Sequence, residues 1–265
     1  MSRGRWGARE AAACWEALVD LVVPTTCAGC GVAGGGQLCQ PCREALDVRP
    51  ARTTPVPSPP GLPATTALAG YAGALRAMIL GYKERGRHSL GAVLGDRLAE
   101  VVVAAVRGRA VPVLLLPVPC TAEAARRRRG DHMLRLANRC ARAMRRRGWS
   151  VAVASPLVAR PRADSSELSA RARAVAAGTA FTLRRRGAVA VGAALRAGAV
   201  PVLLDDVITT GATLAAAAVT LRTGGVDVRH AAVLAATRRR SVSGGRCTPS
   251  GADDHPAGGD LRNLA

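Results

Sequence analysis

The chain has 265 residues, of which 49% are hydrophobic, enough apolar content for one large domain or for one domain and a small module. Phe, Trp and Tyr make up only 2%, so Leu, Val and Ala must build the core, and the composition argues against extensive stacking on nucleic-acid bases. The 38 basic residues outnumber the 18 acidic ones, giving a net charge of +20 that attracts phosphates, nucleic acid and anionic surfaces; an Ala-, Arg- and Gly-rich composition also follows from a high-GC genome, so charge alone does not name a polyanion partner.

At the N-terminus, Trp15, Leu18, Val19 and Val22 fall at helical spacing and predict a short amphipathic helix. Glu10, Glu16 and Asp20 interrupt the apolar stretch that a signal peptide needs, and no run approaches the length of a membrane span, the longest lying around Val111–Val118. The expectation is a cytoplasmic protein without membrane insertion. Cys27, Cys30, Cys39 and Cys42 then form two CxxC pairs. Each pair offers two sulfurs from one tight turn, and two pairs complete a tetrahedral tetrathiolate, so structural zinc is expected ahead of a disulfide or an iron–sulfur centre. Cys14, Cys120, Cys140 and Cys247 are scattered and read as ordinary small residues. Residues 1–47 are taken as helix and zinc module, and the Pro-rich 48–64 as a linker or an extended edge.

Within 65–240 helical and strand patterns alternate. Tyr71–Lys83 has apolar residues three and four apart, and Leu90–Val106 predicts a second helix. Val111–Val118 predicts a strand, 126–130 a basic loop, Asp131–Arg147 a helix stopped by Gly148, Val151–Val158 a strand and Ser169–Ala177 a helix. Pro201–Asp205 opens another strand, Leu214–Leu221 is helical with a stop at Gly224 and Gly225, and Val226–Ala235 supplies a last strand. Residues 241–265, rich in Gly, Ser, Pro and Asp, are expected to be disordered. Strands alternating with helices predict an α/β fold with a mostly parallel sheet covered on both faces, and ligands in such sheets bind beyond the C-terminal strand ends.

The segment Pro201–Leu214, PVLLDDVITTGATL, carries the most chemistry. An apolar strand runs into Asp205 and Asp206 and then into a Thr-Thr-Gly-Ala-Thr turn that opens a helix. Gly211 permits backbone conformations other residues resist, and small Ala212 lets a ligand approach, so successive N–H groups converge on a phosphate. The hydroxyls of Thr209, Thr210 and Thr213 add donors. Two carboxylates beside a phosphate cradle would repel phosphate alone; they suit sugar hydroxyls, or magnesium carried by the same ligand. The plainer reading, a buried strand followed by a helix capped by aspartate, accounts for one aspartate and not for the whole run.

This segment resembles the phosphoribosyl pyrophosphate (PRPP) signature of type I phosphoribosyltransferases. With the N-terminal helix, the paired cysteines, YAGALRAMILGYKERGR and LLLPVPCTAEAARRRRGDHMLRLA, its position in the chain resembles the ComF family, which couples a zinc finger to a phosphoribosyltransferase-like domain and is associated with competence and DNA uptake. The resemblance implies a type I phosphoribosyltransferase-like fold with a small N-terminal four-cysteine zinc finger, PRPP with Mg2+ as ligand, and competence proteins or single-stranded DNA as partners. It implies catalytic roles for Asp205 and Asp206, which would hold the ribose and help to position magnesium. The PRPP-binding set would be Asp205, Asp206, Val207, Thr209, Thr210, Gly211, Ala212, Thr213 and Lys83. Lys83, the only lysine among the basic residues, stands where the family shows a lysine, its other reading being a surface charge; the turn after Val118 with Arg126–Arg129 is the expected pyrophosphate site. The chain departs from the family pattern at Arg129-Gly130-Asp131-His132-Met133, where relatives carry Arg-Gly-Phe-Asn-Gln. His132 reads as a surface histidine at a helix start in preference to a general base.

Overall fold

In a computed structural model, residues 26–33, 37–128, 130–160 and 180–237 are described. The N-terminal helix, the Ser169–Ala177 helix, Arg129 and the tail, as read from sequence, lie outside them. The chain runs through helix α1 (Gln40–Glu44), strands β1 (Ala51–Thr53) and β2 (Ala64–Gly70), and helices α2 (Gly73–Glu84) and α3 (Leu90–Ala105). Strand β3 (Val113–Pro117), helices α4 (Ala122–Arg127) and α5 (His132–Arg146) and strands β4 (Val151–Val153), β5 (Leu157–Ala159) and β6 (Phe181–Leu183) follow. Helix α6 (Arg185–Arg196), strand β7 (Val200–Ile208), helix α7 (Ala212–Thr223) and strand β8 (His230–Ala236) complete it.

Six strands form one sheet in the order β1-β2-β8-β7-β3-β4. All neighbours are parallel except β1, which runs antiparallel along β2. Strands buried on both faces read as continuous apolar runs, and Val113-Leu114-Leu115-Leu116 and Val202-Leu203-Leu204 sit where that pattern requires, in adjacent central strands. Their side chains alternate between two cores. Val113, Leu115, Val202 and Leu204 pack with Met78 of α2, Leu98 of α3 and Met144 of α5. Leu114, Leu116 and Leu203 pack with Val191 of α6 and Leu214 and Leu221 of α7 on the other face. The result is an α/β protein with a mostly parallel sheet flanked by helices.

Within the Pro-rich stretch, Ala51–Thr53 form β1, an extended edge of the sheet. Other elements differ from the sequence reading. The expected basic loop begins as helix α4, whose Thr121 Oγ1 accepts from Ala124 N at 3.3 Å. The expected strand Val151–Val158 is two strands: it leaves the main sheet after Val153, passes Pro156 and pairs as β5 with β6 in a separate antiparallel ladder. The last strand begins at His230, not at Val226. Among the described residues no helix is long and apolar enough to cross a membrane.

Candidate functional site

Strand β3 leads through α5 to β4 on one side, whereas β7 leads through α7 to β8 on the other. Helices α5 and α7 lie on opposite faces, so the chain parts between the C-terminal ends of β3 and β7 and leaves a crevice there. Asp205 and Asp206 are at that end of β7. Asp206 is 6% exposed, and its Oδ2 stands 2.8 Å from Lys83 Nζ and 3.4 Å from His132 Nε2. Burial alone would raise the Asp206 carboxyl, but the His132 ring and the Lys83 ammonium outweigh it and hold the group well below the usual carboxylate range. Both partners arrive because α2 and α5 are tied together: the Tyr82 hydroxyl donates to the carbonyl oxygen of His132 at 3.2 Å. Asp205 is half-buried, and its Oδ1 accepts from the Asp206 N–H at 2.9 Å. Burial first, and then the charge of Asp206, push the Asp205 carboxyl well above its ordinary value.

Beyond the aspartates the turn is built as the residue types require. Gly211 has φ 77°, in the left-handed region, and a Cβ added there would meet Leu62 methyls at 3.1 Å and Pro55 Cγ at 3.2 Å. The Pro-rich segment therefore backs the turn. Thr209, Thr210 and Ala212 are exposed, Thr213 is half-buried, and Ala212 N donates to Thr210 Oγ1 at 3.4 Å. Val207 packs into the core shared by α2, α3 and α5. A cavity of about 610 Å³ opens beside the turn, lined by Thr209 and Thr210, by Gly70 and Thr237 at neighbouring strand ends, and by 53–57. It takes in the threonines but neither Asp205 nor Asp206, the latter facing Lys83 and His132.

Lys83, Asp205, Asp206 and the Thr209–Thr213 turn thus converge on one sheet end. Arg126 and Arg127 are exposed, and Arg128 is bound to Glu84 at 2.7 Å. The surface reading of His132 is corrected: the residue is 4% exposed. Its place at the start of α5 was legible from Asp131, whose Oδ1 caps the helix by accepting from Met133 N at 2.9 Å and Leu134 N at 3.1 Å. Its burial was not, because the covering Tyr82 comes from a distant element.

The four N-terminal cysteines are free thiols whose sulfurs all lie within 4.8 Å of one another. Backbone N–H groups of Gly29 and Cys39 reach Cys27 Sγ at 3.4 and 3.3 Å. Burial would raise this thiol, but backbone bonds from Cys30, Cys39 and Gly29 outweigh it and lower the pKa to about 6. Gly29 is required by space: a Cβ there would sit 2.7 Å from Cys42 Sγ. The cluster therefore has the donor set and the clearance of a metal site.

Compared with family models and with curated proteins, the chain matches none. Fold and site define an α/β protein with an acidic pair and a left-handed glycine turn at the switch point of its sheet, and a four-cysteine cluster before it.

Proposed function

We propose that the protein binds PRPP, carried with Mg2+, at the β7–α7 turn, and is a ComF-like, phosphoribosyltransferase-type protein of DNA uptake that transfers phosphoribose to an acceptor. One observation carries this reading: two carboxylates near the C-terminal end of β7 are followed, after Val207–Thr210, by a left-handed glycine turn at the open end of a parallel sheet, which would pair ribose-hydroxyl acceptors with a phosphate cradle. In it, the N–H groups and hydroxyls of Thr209–Thr213 hold the 5-phosphate and Asp205 and Asp206 hold the ribose. Lys83 keeps Asp206 ionised before the ligand arrives. Transfer then requires the leaving pyrophosphate to be neutralised and the acceptor oriented. Cys27, Cys30, Cys39 and Cys42 would hold a structural zinc ion, which supplies folding free energy.

Calorimetry with PRPP and Mg2+ tests the reading. Binding is expected in the wild type and a loss of at least about tenfold in Asp205→Asn and Asp206→Asn, roughly one lost charged hydrogen bond each; no heat at millimolar ligand would sink it. Pyrophosphate release with purine, pyrimidine or amine acceptors then tests turnover. The alternative, a non-catalytic accessory or single-stranded DNA-binding role, rests on the net charge of +20 and requires salt-dependent DNA binding indifferent to both aspartates. The structure lends it less support, since Arg146 and Arg147 are committed to Asp96 and Glu100, and Arg145 to the carbonyl of Val151.

A further inference from the structure

We propose that Cys120, Asp131 and His132 form a second metal site, for a zinc-class divalent ion, on the β3 side of the crevice. Cys120 lies in the turn after β3, while Asp131 and His132 open α5. One ligand atom from each, a thiol sulfur, a carboxylate oxygen and an imidazole nitrogen, lies within 4.8 Å of the other two. Sulfur, nitrogen and oxygen together suit zinc and its borderline neighbours and not magnesium or calcium, which take oxygen alone.

A second observation points to a missing partner. His132 is more than nine-tenths buried, yet Nδ1 has no hydrogen-bond partner among the described residues, while Nε2 faces Asp206 Oδ2. A buried polar nitrogen without a partner costs about 1–3 kcal/mol. Nε2 stands 3.4 Å from Asp206 Oδ2, a distance at which an N–H on Nε2 is oriented by the carboxylate. That leaves the lone pair of Nδ1 for a metal, giving the carboxylate–histidine–metal order in which the outer acid fixes the tautomer and raises ligand basicity. The helix-cap role of Asp131 is carried by Oδ1, so Oδ2 can serve the ion without loss of the cap. Capping accounts for neither the half-buried thiol nor the unpartnered Nδ1. Three protein ligands leave a fourth position open, the pattern of zinc sites that take an exogenous ligand.

The inference does not require PRPP. Its test is the zinc content per chain of the full-length protein after loading and dialysis, measured by elemental mass spectrometry. The Cys120→Ser chain, a near-isosteric change at a half-buried position, is expected to carry one zinc fewer than the wild type and to keep the ion on the N-terminal cysteines. His132→Gln is expected to do the same. Should that buried variant fail to fold, Cys120→Ser decides. Equal zinc content in wild type and Cys120→Ser overturns the assignment.

Discussion

The ion pair between Lys83 and Asp206 is the contact on which the site turns. Removing the cation from a buried pair leaves an uncompensated carboxylate, so Lys83→Met should cost about 3 kcal/mol, seen as an earlier midpoint in urea unfolding at pH 7. A midpoint unchanged from wild type would mean that His132 alone suffices for Asp206. The two aspartates act oppositely on stability. The lowered Asp206 group contributes stability that is present above the ordinary aspartate value and is lost as pH falls through its folded value. The raised Asp205 group binds its proton more tightly folded than unfolded, so ionising it costs stability as pH rises above the ordinary value of about 3.9. Asp205→Asn should therefore melt higher than wild type at pH 7, converge with it near pH 4, and bind PRPP more weakly. Thermal scans at both pH values check this, and equal melting at pH 7 would count against the strained carboxylate. Lys83 was legible as the only lysine in an arginine-rich chain; its partner was not, since nothing local connects α2 to β7.

Elements buried on both faces were the easiest to read. The runs in β3 and β7 have no polar alternative to offer, and Thr-Thr-Gly before an Ala-rich helix fixes the start of α7. Strand β2, ATTALAG, and helix α6, RRGAVAVGAALR, escaped because small residues and glycines blur both periodicities and only neighbours decide them. The Pro-rich stretch likewise shows its role only in three dimensions, where Pro55 and Leu62 press against Gly211. Gly211→Ala meets both the left-handed backbone and those contacts, with a cost of about 1–3 kcal/mol. Because the same turn would cradle the 5-phosphate, PRPP affinity should fall at temperatures where circular dichroism shows the variant folded. Wild-type affinity in a destabilised Gly211→Ala chain would separate the turn's structural part from ligand binding.

At the scale of the whole molecule, the cysteine cluster and the acidic pair are joined through helix α2. Cys27, Ala28, Leu38, Cys42 and Leu46 share one apolar core with Leu75, Met78 and Ile79 of that helix, and Asp47 reaches Arg97 of α3 at 3.2 Å. The Cβ that Gly29 lacks would also meet Ala74 Cβ at 3.2 Å, so the first knuckle is seated on the first turn of α2. The last turn of the same helix carries Tyr82 and Lys83, which hold His132 and Asp206. Free energy from the zinc proposed at the knuckles would thus be spent partly on fixing the helix that sets the charge of the acidic pair. Cys27→Ser should lower the melting temperature of the entire chain in a single transition; a loss of about 3 kcal/mol corresponds to roughly 10 °C at this size. It should also weaken PRPP binding below that transition, because Lys83 loses its fixed position. Differential scanning calorimetry with parallel ligand titration separates the cases: two independent transitions, with the second at the wild-type temperature and with wild-type affinity, would show that the cysteine module folds apart from the site and that α2 transmits nothing.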